Sequence, residues 1–134
     1  LSYVAKMAVH FLDNVIDLNK FPLEQIDKQT KLSRRIGLGV MGFARMLSKM
    51  GIGYNTPKAR EIAEYVMKFI SEEGRKMSHE LGRVRGSFPG FKESVWVDKY
   101  DALRNATITS MAPTGTISMI SNTTSGIEPL FALA

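Results

Sequence analysis

The run Arg104-Asn105-Ala106-Thr107-Ile108-Thr109-Ser110-Met111-Ala112 is made of β-branched and small side chains, and it stops at Pro113. Thr114-Gly115-Thr116 and the apolar Ile117-Ser118-Met119-Ile120 follow at once. This order predicts a buried strand, a tight loop and a short helix. A helix start leaves backbone N–H groups without intrahelical partners and carries the positive end of the dipole. A glycine there lets an anion approach the backbone closely. Pro113, Thr114, Gly115, Thr116 and Ile117 are therefore candidate phosphate-binding residues, with Ser118 adjacent. Hydroxyls at Thr114, Thr116 and Ser118 are further candidate donors. The segment is not a Walker loop, because no Gly-Lys-Ser/Thr supplies a lysine for terminal phosphates or a hydroxyl for magnesium. The competing reading is an ordinary strand-to-helix connection whose hydroxyls cap the helix.

Upstream, Val4, Met7, Ala8, Phe11, Leu12 and Val15 recur at three- and four-residue intervals, which predicts a largely buried helix from Ser2 to about Asp17. Asn19 and Phe21-Pro22 end it. Glu24 to Ser33 is polar and reads as a short surface helix or loop. Ile36 to Val40 reads as a short buried strand, and Gly42 to Met50 as a helix stopped by Gly51-Ile52-Gly53. Thr56 is the expected N-cap of a further helix, with Pro57 in its first position. Ile62, Val66, Phe69, Ile70, Met77 and Leu81 form its inner stripe, and Gly82 is expected to close it. Gly86 to Gly90 reads as a turn, and Lys92 to Asp101 as a loop or edge segment around Trp96.

The chain has 134 residues, 44% of them hydrophobic and 23% charged, enough for one domain with a core. No apolar run approaches the roughly 20 residues that span a bilayer, and no basic-then-apolar leader opens the sequence. A cytoplasmic location with no membrane partner is the expectation. Cysteine is absent and His10 and His79 are the only histidines, so neither a disulfide framework nor a metal site is expected. Leu1 opens inside an amphipathic pattern, and Leu130 to Ala134 is an apolar run, so both ends read as cut from a larger protein. The net charge of +5 invites a nucleic-acid partner. The basic residues are scattered, however, with Glu72, Glu73 and Glu80 among them and no alternating aromatic platform, which favours a solvated surface.

Gly37-Leu38-Gly39-Val40-Met41-Gly42 matches the spacing of a dinucleotide fingerprint. A true fingerprint follows an apolar strand and has an acidic residue about 20 positions on, at the end of a second strand. Here the preceding Thr30 to Arg35 is polar, and Glu61 falls in the first turns of a helix. The glycines are better explained by close backbone packing. Glu128, just before Pro129, reads as a turn former ahead of a catalytic carboxylate. Asp13, Asn14 and Asp17 read as surface polar residues or a buried packing hydrogen bond. His10 is expected to be packed and His79 exposed, and Met7, Met41, Met67 and Met77 fall at core spacings.

Four ordered blocks carry a family resemblance: Phe11-Leu12-Asp13-Asn14-Val15-Ile16-Asp17 with Phe21-Pro22-Leu23; Arg34 through Ala44; Gly86-Ser87-Phe88-Pro89; and Asn105-Ala106-Thr107 through Pro113-Thr114-Gly115-Thr116-Ile117-Ser118 and Ser125-Gly126-Ile127-Glu128-Pro129-Leu130-Phe131. Together they resemble the C-terminal barrel region of the ribonucleotide reductase large subunit, and Thr-Gly-Thr is most similar to its adenosylcobalamin-dependent class. The resemblance implies an α/β fold, with residues 1–134 a helix-rich piece of a ten-stranded α/β barrel bearing a few short strands. It implies a parent enzyme that reduces ribonucleoside diphosphates through a cysteine thiyl radical, with adenosylcobalamin as radical source, a thiol reductant system as partner, and a glutamate and an asparagine assisting. It also implies that Pro113 to Ile117 hold the substrate phosphates, with Ser118 beside them. The family's cysteines lie outside this chain, so no catalytic residue is assigned to it. Two alternatives stand beside this: a self-contained phosphate- or nucleotide-binding module, and a basic nucleic-acid-binding domain.

Titration with NADH or NADPH is expected to leave intrinsic and cofactor fluorescence unchanged. Saturable binding abolished by Gly39→Val would make the glycine string a dinucleotide site after all.

Overall fold

The computed structural model describes residues 1–130; Phe131 and the rest of the terminal apolar run lie outside the described residues. Five helices form in the order α1 (Ser2–Leu18), α2 (Glu24–Ser33), α3 (Phe43–Lys49), α4 (Pro57–Arg85) and α5 (Gly115–Ile120), with a 3-10 turn at Phe91–Glu93. The chain divides into two compact units, Leu1–Leu38 with Phe69–Thr109, and Gly39–Lys68 with Ser110–Ala134.

In the first unit, Val9 and Ile16 of α1 pack with Ile36 and Ile108, and Leu12, Leu38 and Met77 cover them. A second cluster joins Phe88, Phe91 and Leu103 under Trp96 and Tyr100. The Trp96 indole donates to the Ala106 carbonyl at 3.0 Å, and the Arg75 guanidinium lies 4.1 Å from the ring centroid.

Helix α1 spans almost the predicted residues but turns a different face inward. Its buried residues are Ala5, Val9, Asp13 and Ile16, whereas Val4, Met7, Phe11 and Val15 are exposed. The cause is Asp13, which is fully buried. Its Oδ1 accepts from Arg34 Nε at 3.0 Å, Arg34 Nη2 at 2.7 Å and Asn105 Nδ2 at 3.0 Å. Its Oδ2 accepts from Arg104 Nε at 3.2 Å. An ionised carboxylate out of water is tolerated only when its lone pairs are filled by charged or strong donors. Of the two sequence alternatives for this acidic group, Asp13 takes the buried hydrogen bond. Residues four apart on a helix share a face, so fixing Asp13 inward brings Val9 and Ala5 in with it.

Arg34 closes α2 in the left-handed region, at φ 44°, where glycine is the usual residue. Its side chain offsets that strain by donating also to both carboxylate oxygens of Asp17, at 2.7 and 3.0 Å. The Arg34 guanidinium beside Asp17 holds that carboxyl below the ordinary range, against a smaller opposing effect of burial. Asn105 completes the hub: its backbone N–H donates to Ser78 Oγ at 2.9 Å, Ser78 Oγ donates to its side-chain oxygen at 2.9 Å, and its amide also donates to the Arg34 carbonyl at 3.1 Å.

The strands expected at Ile36 to Val40 and at Arg104 to Ala112 do not form ladders. Among the described residues they meet in one isolated parallel bridge, Leu38 with Thr109. The peptide N–H groups that a neighbouring strand would pair are taken elsewhere, Arg104 by the Ser78 carbonyl and Ala106 by the Ser33 carbonyl. The N-terminus of α4 matches its prediction, Thr56 Oγ1 accepting the Ala59 N–H at 3.2 Å. Its C-terminus does not, because the helix runs past Gly82 to Arg85. A Cβ at Gly82 would lie 2.8 Å from the Leu103 nitrogen, so this glycine provides a close crossing rather than a stop. The turn comes at Gly86, φ +88°.

Removing a partner from a buried ion pair typically costs about 3–5 kcal/mol, so Asp13→Ala is expected to destabilise the fold on that scale, read by urea unfolding. Asp17 has a depressed folded pKa. Its contribution is present above the ordinary carboxylate value of about 3.9 and is lost as pH falls below it. Asp17→Asn is expected to flatten the stability-versus-pH profile in that acid window, and a profile unchanged by the substitution would remove Asp17 from the account.

Candidate functional site

The second unit holds the predicted loop. Its helical part packs Ala44 and Leu47 of α3 with the start of α4, where Ala59 is buried, and Phe43 meets Tyr54 edge-on at 6.2 Å. Two glycines of the fingerprint-like string serve packing here, as their spacing suggested. A Cβ on Gly39 would stand 2.8 Å from the Ser110 carbonyl oxygen, and Gly42 has φ +79° with Thr123 Oγ1 2.5 Å from where its Cβ would be. The Gly42 N–H donates to the Thr124 carbonyl at 2.7 Å.

Thr114 is the residue before α5, at φ 53° and ψ 30°, and its side chain makes no cap bond to the helix. The left-handed region is costly for a β-branched residue and persists only where surrounding contacts impose it. Here the Thr114 hydroxyl accepts the Gly126 N–H at 2.6 Å. Gly126 is itself left-handed, φ +42°, and a Cβ on it would approach the Ala112 carbonyl oxygen to 2.8 Å. The first-turn N–H groups of α5, on Gly115, Thr116 and Ile117, are thus left uncapped by Thr114, and they carry the positive end of the helix.

The three hydroxyls divide their roles. Ser118 is buried; its Oγ donates to the Gly115 carbonyl at 2.8 Å and pairs with Ser125 Oγ at 2.9 Å. Thr114 is committed to Gly126, and Thr116 is exposed. Pro113, Gly115 and Ile117 are exposed as well. Beside α5 lies an open cleft of about 460 Å³, lined by Gly115, Ser118, Met119, Thr123, Thr124, Ser125, Glu128, Pro129 and Leu130. A Cβ at Gly115 would meet no protein atom within 4 Å, so the space above this backbone is empty of protein. An uncapped helix start, a bare glycine and an exposed hydroxyl can hold an anion without a lysine.

The remaining candidates fall elsewhere. His10 Nε2 lies 2.9 Å from Arg85 Nη2, and His79 Nε2 lies 2.5 Å from Asp101 Oδ1, a contact that holds the Asp101 carboxyl below the ordinary range. Met7 is exposed rather than core, while Met41, Met67 and Met77 are half-buried. The Glu128 N–H donates to the Ser125 carbonyl at 3.0 Å, so the residue does form a turn. Sequence reasoning missed the role of Gly126 in fixing Thr114. The two lie twelve positions apart, and only the Ser-Gly-Ile-Glu-Pro wording hinted that the glycine mattered.

The sequence matches the family described as "Ribonucleotide reductase, barrel domain" over residues 1–103 and 97–134. It is 55% identical over 95% of its length to a vitamin B12-dependent ribonucleoside-diphosphate reductase of Thermoplasma acidophilum, and 44% identical over its whole length to one of Mycobacterium tuberculosis. It is 32% identical over 98% of its length to a ribonucleoside-diphosphate reductase subunit alpha of Chlamydia muridarum. The chain spans only 16–19% of the length of these relatives. Neither the stand-alone module nor the nucleic-acid-binding domain is favoured by them.

Thr114→Val leaves the buried Gly126 N–H without an acceptor, which costs about 1–3 kcal/mol. Chemical unfolding is expected to show that loss for Thr114→Val and a change within about 0.5 kcal/mol for the exposed Thr116→Val.

Proposed function

The chain belongs to the ribonucleotide reductase family, in its barrel domain, and on that premise we propose that residues 1–134 work within a ribonucleoside-diphosphate reductase as one part of its barrel domain. The extended segments around Leu38 and Thr109 contribute strands to a ten-stranded α/β barrel, with the helices packed outside. Their parallel bridge supports this. The exposed apolar face of α1, with Val4 and Phe11, provides surface for the remainder of the parent chain.

Pro113 to Ile117, with Ser118 beside them, form the substrate phosphate loop. The observation that carries this is the bare Gly115 at an uncapped helix start facing an open cleft. In this role the N–H groups of Gly115, Thr116 and Ile117 donate to phosphate oxygens, and the Thr116 hydroxyl adds a donor. The buried Ser118 shapes the loop from beneath through Gly115 and Ser125.

The substrate of the parent is a ribonucleoside diphosphate and its product the deoxyribonucleotide, made in the cytoplasm with reducing equivalents from a thiol system. Adenosylcobalamin is the radical source, consistent with the names of two of the relatives. The described residues do not fit the corrin itself. Their largest cleft, about 540 Å³, is an open groove bearing Lys92 and Asp101, and no group of three or more His, Asp or Glu side chains could hold a metal ion. No chemical step is assigned here to residues of this chain; their part is to hold the phosphates and to build wall.

The purified 134-residue chain is expected to form no deoxyribonucleotide above background with adenosylcobalamin and a dithiol, since it contains no cysteine to carry the radical. In the full-length reductase, a hydrogen bond to a charged group is worth about 1.5–3 kcal/mol, so Thr116→Val is expected to raise the diphosphate KM roughly ten- to a hundredfold with little change in kcat. Gly115→Val meets no protein atom, so its loss of affinity reports on the ligand alone. Normal diphosphate affinity in both folded variants would reduce the loop to a strand-to-helix connection.

A further inference from the structure

Among the residues lining the cleft beside α5, Glu128 is the one ionisable side chain. A site for a polyanion that has no lysine or arginine in its lining but does have a carboxylate is unusual electrostatically. The uncapped helix start can neutralise only part of the charge brought to it, roughly half a unit. Each further negative charge on the ligand is then repelled by the carboxylate.

The carboxylate is held beside α5 rather than left on a loose tail. Ser125 Oγ is tied to Ser118 Oγ at 2.9 Å, and the Gly126 N–H to Thr114 at 2.6 Å. The Glu128 N–H is tied to the Ser125 carbonyl at 3.0 Å, and Pro129 narrows the backbone freedom of Glu128 from the other side. Two of these bonds reach α5 or its cap, and the third joins Glu128 to the same turn. Glu128 therefore moves with the phosphate loop.

We infer that Glu128 limits the number of phosphates the cleft accepts, admitting the nucleoside diphosphate and turning away the triphosphate. This rests on the phosphate-loop assignment above. The diphosphate places its charge on the helix start, whereas the extra phosphate adds one to two negative charges in the lining that Glu128 occupies. Because Glu128 is solvent-exposed, the discrimination is screened by salt, and it weakens as ionic strength rises.

The test uses the full-length reductase given an equimolar mixture of a ribonucleoside diphosphate and its triphosphate, with the two deoxy products quantified. Glu128→Gln is expected to raise the triphosphate share relative to diphosphate on the order of tenfold, and Glu128→Asp to stay near the unaltered enzyme. In the unaltered enzyme the triphosphate share is expected to rise between low and high salt. A product ratio unchanged by Glu128→Gln, or one shifted toward diphosphate, would overturn the inference. If Glu128→Gln fails to fold, a salt-independent ratio in the unaltered enzyme would overturn it equally. Thr116→Val run in parallel separates the two levels. If it leaves the diphosphate KM unchanged, the loop assignment itself fails. If it raises KM while the ratio ignores Glu128, only the present inference falls.

Discussion

The buried carboxylate of Asp13 is the constraint around which the first unit is arranged. A charge taken out of water must be met by donors from several directions, and here they come from three separate parts of the chain: Arg34 at the end of α2, and Arg104 and Asn105 in the extended segment, with Ser78 of α4 orienting Asn105. Satisfying that one group fixes which face of α1 is inside and how the extended segment lies on α4. Gly82 then has to lack a side chain, since the segment passes at Leu103 within contact of its Cα. Such a pair contributes less net stability than a well-packed apolar replacement often would. Its effect is specificity, because any other packing leaves a charge buried alone.

In the second unit the controlling feature is conformational. Thr114 and Gly126 both sit in the left-handed region, and each is held there by the other through a single hydrogen bond. The arrangement takes the one hydroxyl that would ordinarily cap α5 and directs it away from the helix. The consequence is a helix start whose N–H groups are available to a ligand, which is the physical basis for assigning phosphate binding to a loop without a lysine.

Asp13 and Asp17, Arg34, and Asn105 belong to three of the blocks whose wording resembles the reductase family, yet they converge on a structural hub rather than on chemistry. Similarity of wording at those positions reflects what the fold needs to bury. The Thr114 to Ser118 block is different, since its glycine and Thr116 face open space. That contrast separates residues that hold the chain together from those that can hold something else.

Sequence alone determined the elements governed by local chemistry. The span of α1, the Thr56-Pro57 entry to α4, the stop after α3 at Gly51 and the loop-to-helix turn at Thr114 follow from side-chain periodicity, capping and backbone restriction within a few residues. The family, and with it the candidate phosphate loop, was likewise legible in ordered motifs. Tertiary structure decided what depended on distant partners. It turned Asp13 inward against the hydrophobic ranking of its helix, carried α4 past a glycine that looked like a terminator, and spent the hydroxyls of Thr114 and Ser118 on residues near Gly126. It also left the expected strands with a single bridge. In each case the deciding partner lay many positions away. A polar atom's free energy is set by whatever meets it after folding, which local pattern does not record.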